Sequence, residues 1–572
     1  MDLPAQPPRL TWLRRIPLLR RRPRQHGLVR RRRWLFLSKH PIWSALIAVV
    51  LLACVAFAGR AGYRKVFAPP LNCGAGMTIK GSPHSCVGVS LDFTQFTAND
   101  PARMRALEHQ IAQLDGKVHG YYVSIVLLLD LSPVLSADTV TYATTYSDIE
   151  GAITAAWQAD NTAAFGTSPE VKLYLANMGS LYRSWRTSVQ QIVTNRVSQH
   201  ITSIVGLGQS TSQTRSAAAM LASAAHLPVI GATVTGDDMN KLPDSNRLNR
   251  YFFRVAPQNS DEVRAIAQYV PKMSPKPDTA LVVEDYPGDA YESTLAQVAP
   301  GALRAVGLKV YKPLQYESGG APPGESRENY LENVFNTMQS NLCQLDPSVV
   351  FFAGRGEDLH AFVKTWSDER GCQGPGVPVL RILSGDDAAE VVNDPTVRTA
   401  IRQGQVTVTY VGLANSDMWG RDCTGAKVNY DQFLAVFTGQ DEPCGATALA
   451  GSPRFSPADL SNGHAVPTHD AVLAAVKAAR DAQGNLSVKT ELAAVDNPES
   501  QLNSLINFRC TTMLGGADGY VDFGAGGNPI DHPLPIVTLT GSGQVRFLTL
   551  TWPDGGPVLH LPARGAGCGL GG

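Results

Sequence analysis

A short run of hydroxyl residues is the first segment of the chain whose composition suggests chemistry. Ser210, Thr211 and Ser212 follow Gly208 and Gln209, between an apolar run at 201–207 and a helical pattern at 213–225. Where a strand passes into a helix, hydroxyls and free backbone N–H groups lie together and bind anions such as carboxylates. The same residue types also cap helices routinely. The local sequence therefore indicates a carboxylate site or a helix cap, and both interpretations remain open.

The same run nearly matches the G-x-S-x-G nucleophile elbow of hydrolases, with Ser210 at the nucleophile position. Ser212 replaces the second glycine and would crowd the tight turn. The later histidines lie in no recognisable catalytic context: His360, His464, His469 and His532. The sequence contains no dinucleotide or P-loop glycine pattern and no Cys/His set at zinc spacing. It therefore predicts a protein that is not an enzyme and has no metal site and no cofactor.

The elements around this run alternate between short apolar segments and helical patterns, which predicts parallel sheets with crossover helices. Strands are expected at 86–91, 123–129, 171–176, 201–207, 228–231, 279–284, 348–353, 379–383 and 406–411. Helices are expected at 148–159, 213–225, 261–269, 358–366 and 470–480, and late strands at 520–523 and 535–552. The fold class is therefore α/β.

Charge is distributed unevenly along the 572 residues, although the formal net charge is only +1. Residues 1–40 contain twelve Lys or Arg and a single acid, Asp2, whereas the remainder carries a net charge of −10. A body this acidic is not typical of a nucleic-acid-binding protein. With 44% hydrophobic and 17% charged residues, the chain is expected to fold around a sizeable core.

An uncharged segment follows the basic one. Residues 41–58 form an apolar stretch that, as a helix, is about 27 Å long and just crosses a bilayer core. The arginines before it predict a cytoplasmic tail at 1–40 that contacts anionic lipid, a transmembrane helix at 41–59 and an extracellular body. A signal peptide cleaved after Ala58 and a lipoprotein acylated at Cys54 are the alternatives.

Eight cysteines lie beyond this anchor, an even number that suits disulfides in an oxidising compartment. Their sequence separations of 13, 29, 21 and 58 residues favour pairing in sequential order. The expected pairs are Cys73 with Cys86, Cys343 with Cys372, Cys423 with Cys444, and Cys510 with Cys568.

Six segments, in order, resemble the branched-chain amino-acid-binding group of ABC-transporter receptors, which have the type I periplasmic-binding-protein fold. They are 204–214 (IVGLGQSTSQT), 227–239 (LPVIGATVTGDDM), 251–259 (YFFRVAPQN), 281–291 (LVVEDYPGDAY), 470–472 (DAV) and 516–528 (GADGYVDFGAGGN). The anchored arrangement looks like a membrane-attached actinobacterial branch. The resemblance implies two Rossmann-like lobes joined by a three-segment hinge. Lobe 1 is expected at 86–255 plus 407–515 and lobe 2 at 256–406 plus 516–572, after a linker at 60–85.

The resemblance also implies a ligand site between the lobes. The positions that hold a ligand carboxylate in the family correspond to Ser210, Thr211, Ser212, Thr233 and Thr235. Tyr291 falls where an aromatic ring closes over the ligand, and Asp386 or its neighbour Asp387 falls where an acid takes the ligand ammonium. Asn259 stands where a relative has an acid.

Four candidate site residues have alternative interpretations. Tyr291 could be an ordinary exposed tyrosine, and Asp386 with Asp387 could be a solvated helix cap. Arg355 departs from the family pattern, so it either selects an acidic ligand or pairs with Glu357 at the surface.

The resemblance implies a membrane-anchored extracellular solute-binding protein that closes around an amino acid or related carboxylate for ABC-type uptake. Its partners would be the small polar ligand, membrane lipid and an ABC permease. A sensor that reports occupancy to a signalling partner without transport is the alternative. A degenerate module that binds a protein and no small molecule is the third possibility.

Overall fold

The structure of the protein, a computed structural model, describes residues 71–554 except 82, 135–137, 369–371, 373–378, 484–497, 510–511, 525 and 531. The predicted cytoplasmic tail, the predicted transmembrane helix and Cys54 lie outside these residues. In the described part of the chain, no helix combines the length and apolar character that a membrane span requires.

The first sheet contains parallel strands with an antiparallel edge, in the order β1-β2-β4-β3-β5-β6-β7. Its strands are β1 Met77–Lys80, β2 Ser85–Ser90, β3 Tyr122–Leu129, β4 Glu170–Asn177, β5 Ile201–Gly206, β6 Val229–Gly231 and β7 Phe252–Arg254. The five strands predicted here are confirmed within a residue or two. Strand β1 lies in the predicted linker 60–85, and it pairs antiparallel with β2.

The second sheet begins with β8 Thr279–Asp285, β9 Lys309–Val310, β10 Leu314–Tyr316, β11 Val349–Ala353, β12 Leu380–Ser384 and β13 Val406–Val411. The chain then forms a small hairpin of β14 Leu514–Gly516 and β15 Gly519–Val521. It returns to the second sheet as β16 Leu534–Leu539 and β17 Val545–Thr551. The order is β10-β8-β11-β12-β13-β16-β17, with β9 also beside β8. The strand predicted at 535–552 is thus a hairpin, because the chain turns at Gly543.

Helices cover both faces of each sheet. Those packed with the first sheet are α1 Ala102–Asp115, α2 Tyr142–Asn161, α3 Trp185–Asn195 and α4 Ser212–Ala225. Those packed with the second are α5 Asn259–Tyr269, α6 Ala290–Ala305, α7 Arg327–Leu345, α8 Gly356–Asp368 and α9 Pro395–Arg402. The chain then adds α10 Ala426–Thr438, α11 Ala465–Gln483 and α12 Pro498–Ile506 to the first lobe.

Strand β3 shows why the sequence folds in this way. Its eight residues, YVSIVLLL, are nearly all apolar because a parallel strand covered on both faces has no solvent side. Ile125 and Leu127 pack into the core that contains α2 and α11, whereas Val126 and Leu128 face the core that contains α3 and α4. The two cores therefore cover opposite faces of the first sheet.

Two lobe boundaries differ from the predicted ones. Strand β13 pairs with β12 and β16 in the second sheet, so the second crossing follows Val411 instead of residue 406. Phe523 packs into the first lobe's core, so the third crossing follows it instead of residue 515. Strand pairing, which the sequence pattern does not show, decides where each crossing lies.

Three disulfides join cysteines in sequential order. They link Cys73 to Cys86, Cys343 to Cys372 and Cys423 to Cys444, which confirms those predicted pairs. Cys510 and Cys568 lie outside the described residues, and their pairing stays a prediction.

Candidate ligand-binding cleft

A small cavity of about 20 Å³ lies between the lobes, where the carboxyl ends of both sheets meet. Ligands bind at this edge of open α/β sheets because the loops there bring polar groups of several strands together. Lobe 1 contributes Asp130, Thr144, Thr145, Asp148, Tyr182, Gln209, Ser210, Thr233, Thr235 and His464. Lobe 2 contributes Tyr291, Arg355, Asp386, Asp387 and Glu390.

Six predicted site residues line this cavity: Ser210, Thr233, Thr235, Tyr291, Arg355 and Asp386. Thr211 and Ser212 line a wider groove at its mouth instead. Thr211 caps α4, since its Oγ1 accepts the Thr214 N–H at 3.2 Å in a capping box. The helix-cap interpretation therefore holds for Thr211, and Ser212 is exposed in the first turn.

Asn259 acts behind the cavity instead of in its wall. Its Nδ2 donates to the Tyr291 carbonyl and to Thr294 Oγ1, both at 2.7 Å. The residue is fully buried at the start of α5, and these bonds hold the first turn of α6. Asn259 therefore positions the Tyr291 ring.

The hydroxyls predicted to hold a carboxylate are hydrogen-bonded within the protein. Ser210 Oγ accepts the Gly236 N–H at 2.9 Å. Thr233 Oγ1 donates to the Gly208 carbonyl at 3.1 Å, and Thr235 Oγ1 donates to Asp386 Oδ1 at 3.4 Å. The last bond crosses the cleft, since Thr235 belongs to lobe 1 and Asp386 to lobe 2.

The loop that carries both threonines is held by a residue that the sequence analysis missed. Arg254 is fully buried, and its Nη1 donates to the Val234 carbonyl at 3.1 Å and the Gly236 carbonyl at 2.7 Å. Its Nε donates to Asn528 Oδ1 at 2.8 Å, which ties the loop to the third crossing. Burial lowers the pKa of Arg254 to about 10, so the guanidinium stays charged at neutral pH.

Tyr291 and Arg355 form a stacked pair in the lobe 2 wall. Tyr291 is 1% exposed, so its interpretation as an exposed tyrosine is wrong, and its hydroxyl accepts the Asp387 N–H at 3.1 Å. The Arg355 guanidinium lies 4.4 Å from the centre of the Tyr291 ring. Such contacts between cations and aromatic faces are attractive.

Arg355 does not pair with Glu357 at the surface. Its Nη2 donates to Asp289 Oδ2 at 2.6 Å and its Nη1 to Asp387 Oδ1 at 3.2 Å, and the side chain is 5% exposed. Nη2 also donates across the cleft to the Ser210 carbonyl at 3.3 Å. Because two carboxylates face this one cation, its charge does not make the cleft selective for an acidic ligand.

Asp386 and Asp387 are 7% and 8% exposed, so the interpretation as a solvated cap is wrong. The Asp386 N–H donates to Glu262 Oε2 at 3.1 Å. Burial and the neighbouring Asp387 raise the pKa of Asp386 to about 6, against the opposing effect of His464 and Arg355. Burial and Asp386 likewise raise the pKa of Glu262 well above its usual range.

Sequence reasoning missed four further titratable groups in the wall: Asp130, Asp148, Glu390 and His464. His464 Nδ1 lies 3.3 Å from Asp148 Oδ1. Burial alone would lower the pKa of His464, but Asp148, Glu390 and Asp386 raise it to about 9. Burial and Asp387 raise the pKa of Glu390 to about 8. Only Asp130 had a sequence signal, because it directly follows the apolar strand β3.

One group of carboxylates outside the cavity has the spacing of a metal site. Oxygens of Asp285, Glu292 and Asp358 lie within 4.8 Å of one another. Each is bonded within the protein: the Ser318 N–H donates to Asp285 at 2.8 Å, the Asp289 N–H to Glu292 at 2.9 Å and the Tyr316 hydroxyl to Asp358 at 3.0 Å. The prediction that the protein has no metal site stays a prediction.

No protein-family model and no curated protein matches the chain. Solved structures do match. The leucine-binding protein LivK of Thermotoga maritima has a TM-score of 0.52 and 15% identity, over 76% of this chain and 99% of its own. LivJ of Streptococcus pneumoniae, a branched-chain amino-acid transporter substrate-binding protein solved with isoleucine, has a TM-score of 0.51 and 15% identity, over 76% and 100%. An ABC-transporter substrate-binding protein of Aeropyrum pernix has a TM-score of 0.52 and 14% identity, over 76% and 96%.

This chain has the fold of the type I periplasmic binding proteins. The predicted α/β fold with two lobes is therefore confirmed. The neighbours are substrate-binding proteins and not enzymes, which agrees with the predicted lack of enzymatic activity. In this binding-protein fold Ser210 has no hydrogen-bonded histidine among the described residues, and the cavity histidine, His464, pairs with Asp148.

Proposed function

We propose that the chain is a membrane-anchored extracytoplasmic solute-binding protein that closes around a small polar ligand, an amino acid or a relative of one, for ABC-type uptake. The observation that carries this proposal is the cavity between the lobes, whose polar and charged wall comes from both of them. The solved structures LivK and LivJ, which share the fold, are a leucine-binding protein and an isoleucine complex.

Closure would work through direct bonds between the lobes. Gln209 Nε2 of lobe 1 donates to Asp387 Oδ1 of lobe 2 at 3.2 Å, beside the bonds of Thr235 with Asp386 and of Arg355 with the Ser210 carbonyl. Opening breaks these bonds and exposes the cavity, and closing restores them around the ligand. Such hinge closure is the usual motion of two-lobed binding proteins.

The membrane anchor rests on the sequence. The apolar segment at 41–58, preceded by twelve basic residues, supports a single span that keeps the body on the outer face of the membrane. A tether of this kind keeps the binding protein close to an ABC permease.

The first test is a thermal-shift screen of the full-length chain in mild detergent against amino acids, amines, amides and carboxylates. A ligand at one hundred times its dissociation constant adds about 2.7 kcal/mol of stability, which raises the Tm by a degree or more. Tyr291→Ala should abolish the shift, whereas Tyr286→Ala, at a 65% exposed position, should retain it. A folded protein that responds to no compound would contradict the proposal.

The long basic segment at 1–40 also suits a receptor that signals occupancy to a cytoplasmic partner. Uptake of radiolabelled ligand into cells separates the two functions. Deletion of the gene should reduce uptake if the protein delivers ligand to a permease, and should leave uptake unchanged if the protein only senses.

A further inference from the structure

The side chains around the cavity include more carboxyl groups than cationic groups. Five carboxyl groups line it: Asp130, Asp148, Asp386, Asp387 and Glu390. The cations among the described lining residues are Arg355 and His464. Each of these is already engaged, Arg355 by Asp289 and Asp387 and His464 by Asp148.

Several hydrogen-bond donors near the cavity point at protein acceptors. Thr233 and Thr235 donate to the Gly208 carbonyl and to Asp386, and Thr144 and Thr145 donate to the Thr141 carbonyl at 2.9 and 3.1 Å. The Gln209 N–H, near the start of α4, donates to the Tyr182 hydroxyl at 2.9 Å. A ligand carboxylate would therefore compete for donors that the protein already uses.

Two carboxyl groups of the wall have oxygens without a partner. Among the described residues, no donor reaches Asp130 Oδ2 or Glu390 Oε2, although both atoms are buried. Asp130 itself is 1% exposed, and the Asp138 carboxyl beside it adds further negative charge. Burying such acceptors without a donor is unfavourable, so a donor or cation placed there would stabilise the closed cleft.

Arg355 shows that this wall accepts a cation. Its guanidinium lies between the Tyr291 ring and the Asp387 carboxylate, at 4.4 Å from the ring centre and 3.2 Å from Oδ1. The same combination of acid and aromatic face recognises organic cations in general. Among the described residues, no guanidinium is hydrogen-bonded to the remaining acids, which are Asp130 on lobe 1 and Asp386 and Glu390 on lobe 2. Asp386 and Glu390 share the imidazole of His464 with Asp148.

We propose that the ligand of this cleft is a small organic cation that carries at least one ammonium group, taken by Asp130 from one lobe and by Asp386 and Glu390 from the other. The proposal rests on the proposed solute-binding function and names its ligand class. Basic amino acids and diamines have this chemistry. Neutral amino acids, whose carboxylate needs donors, and dicarboxylates do not fit this charge balance.

Isothermal titration of the full-length chain tests the class with five probes: L-lysine, putrescine, L-leucine, L-glutamate and glutarate. Lysine or putrescine should bind at least about tenfold more tightly than the other three. Tighter binding of leucine, glutamate or glutarate would overturn the cation proposal and leave the solute-binding function standing. Failure of all probes with folded protein would count against both.

Charge-removing variants test the residues. Asp386→Asn and Glu390→Gln should each weaken binding of the cationic probe about tenfold or more. Glu328→Gln is the matched control, because Glu328 lies on the same lobe and is 61% exposed. It should change the affinity less than twofold. Equal affinity in all three variants, at unchanged urea midpoints, would contradict the assignment.

A second readout separates ligand contact from a structural role. Asp386 is faced by Asp387, Glu262, His464 and Arg355, and Glu390 by Asp387 and His464. Both carboxyls hold protons more tightly than usual, so a bound cation should displace protons. Binding heats measured in phosphate and in Tris should then differ. Affinity should fall as the pH is lowered from about 8 to about 5. If Asp386 and Glu390 had only structural roles, neither the dependence of the binding heat on the buffer nor the fall in affinity at low pH would be expected.

Discussion

Arg355 illustrates, at the scale of single residues, how a charge is kept in a buried wall. Burying a guanidinium is unfavourable unless it is paired and hydrogen-bonded. Asp289, Asp387 and the Ser210 carbonyl supply the acceptors, and the Tyr291 ring covers one face. Burial alone would lower the pKa of Arg355, but these carboxylates raise it. One side chain therefore holds the lobe 2 wall together and also touches lobe 1.

Replacing Arg355 with Met should lower the free energy of unfolding by about 2–4 kcal/mol, because Asp289 and Asp387 lose their buried partner. Urea unfolding followed by circular dichroism measures this. The control is Arg264→Met, because Arg264 is 44% exposed and pairs with Asp261 across one turn. That variant should change stability by less than about 0.5 kcal/mol. Similar losses of unfolding free energy in both variants would show that the buried ion pairs of Arg355 stabilise the protein no more than an exposed pair does.

The loop between β5 and α4 is the element on which the lobe 1 wall depends. Gly208 has a positive φ of 71°, which favours glycine, and a Cβ there would lie 2.5 Å from the Tyr182 hydroxyl oxygen. That hydroxyl accepts the Gln209 N–H, and Ser210 follows directly. Glycine at this position therefore allows Tyr182 and the loop to define the cavity together.

Gly208→Ala should destabilise the protein more than Gly404→Ala. Gly404 has nearly the same φ, 70°, but no atom lies within 4 Å of its added Cβ. Gly404→Ala should therefore lose only about 1–2 kcal/mol for the left-handed backbone. Gly208→Ala should lose at least about 1 kcal/mol more, because Tyr182 must move. Equal urea midpoints for the two variants would contradict the close contact.

Disulfides are the other connection at the scale of elements. Non-reducing peptide mapping of the full-length protein should recover Cys73–Cys86, Cys343–Cys372 and Cys423–Cys444. It should also recover Cys510 linked to Cys568, the pair expected from the sequence alone. Thiol labelling of the denatured, unreduced protein should then find no free cysteine beyond Cys54. A labelled Cys510 would disprove the fourth pair.

The molecule as a whole buries many acids whose protons are held tightly. Burial, together with the nearby Asp100, raises the pKa of Glu108 to about 8. Burial raises the pKa of Asp115 to about 7. Burial raises the pKa of Glu150 to about 7, and Glu390 in the cleft reaches about 8. These groups lie in both lobes, so their effect on stability belongs to the whole fold.

Stability should decrease as the pH rises from about 5 to about 9. As the pH rises, an acid with a raised pKa keeps its proton in the folded state after the unfolded state has lost it. Such an acid therefore stabilises the folded state at low pH, and this stabilisation is lost as the pH rises through the folded-state pKa. His464 acts in the same direction, because its stabilisation is complete below about pH 6.5 and is lost through about pH 9. Urea midpoints at three pH values measure the slope.

Glu108→Gln should make the decrease of stability with pH shallower, because the variant removes one such proton. The slope should change by up to about 1.4 kcal/mol per pH unit between the unfolded-state and folded-state pKa values of Glu108. The exposed Glu328→Gln should leave it unchanged. A urea midpoint that increases from pH 5 to pH 8 would contradict the assignment of protonated buried acids.

Local patterns were sufficient to predict the α/β fold class, most of the strands and the three confirmed disulfides, whereas the two lobes and the six cavity residues came from the family resemblance. An apolar run such as that of β3 predicts a buried strand, and a run of Gly, Ser and Thr after a strand predicts a strand-to-helix turn. These features depend on neighbours in the sequence, so the sequence by itself determines them. The places of Tyr291 and Asp386 followed from the family resemblance, which supplied the missing long-range information.

Only the tertiary structure decided which charges meet. Asp148 and His464 lie about 300 residues apart in the chain and 3.3 Å apart in the cleft. Arg355 was predicted either to select an acidic ligand or to pair with Glu357, yet it binds Asp289 and Asp387. The reason is that β8, β11 and β12 are neighbouring strands, so the loops that follow them lie side by side. The crossing after β13 likewise follows from pairing with β12 and β16. Sequence fixes which side chains exist and how each segment folds, whereas the sign of the cleft's charge depends on distant segments packed against one another.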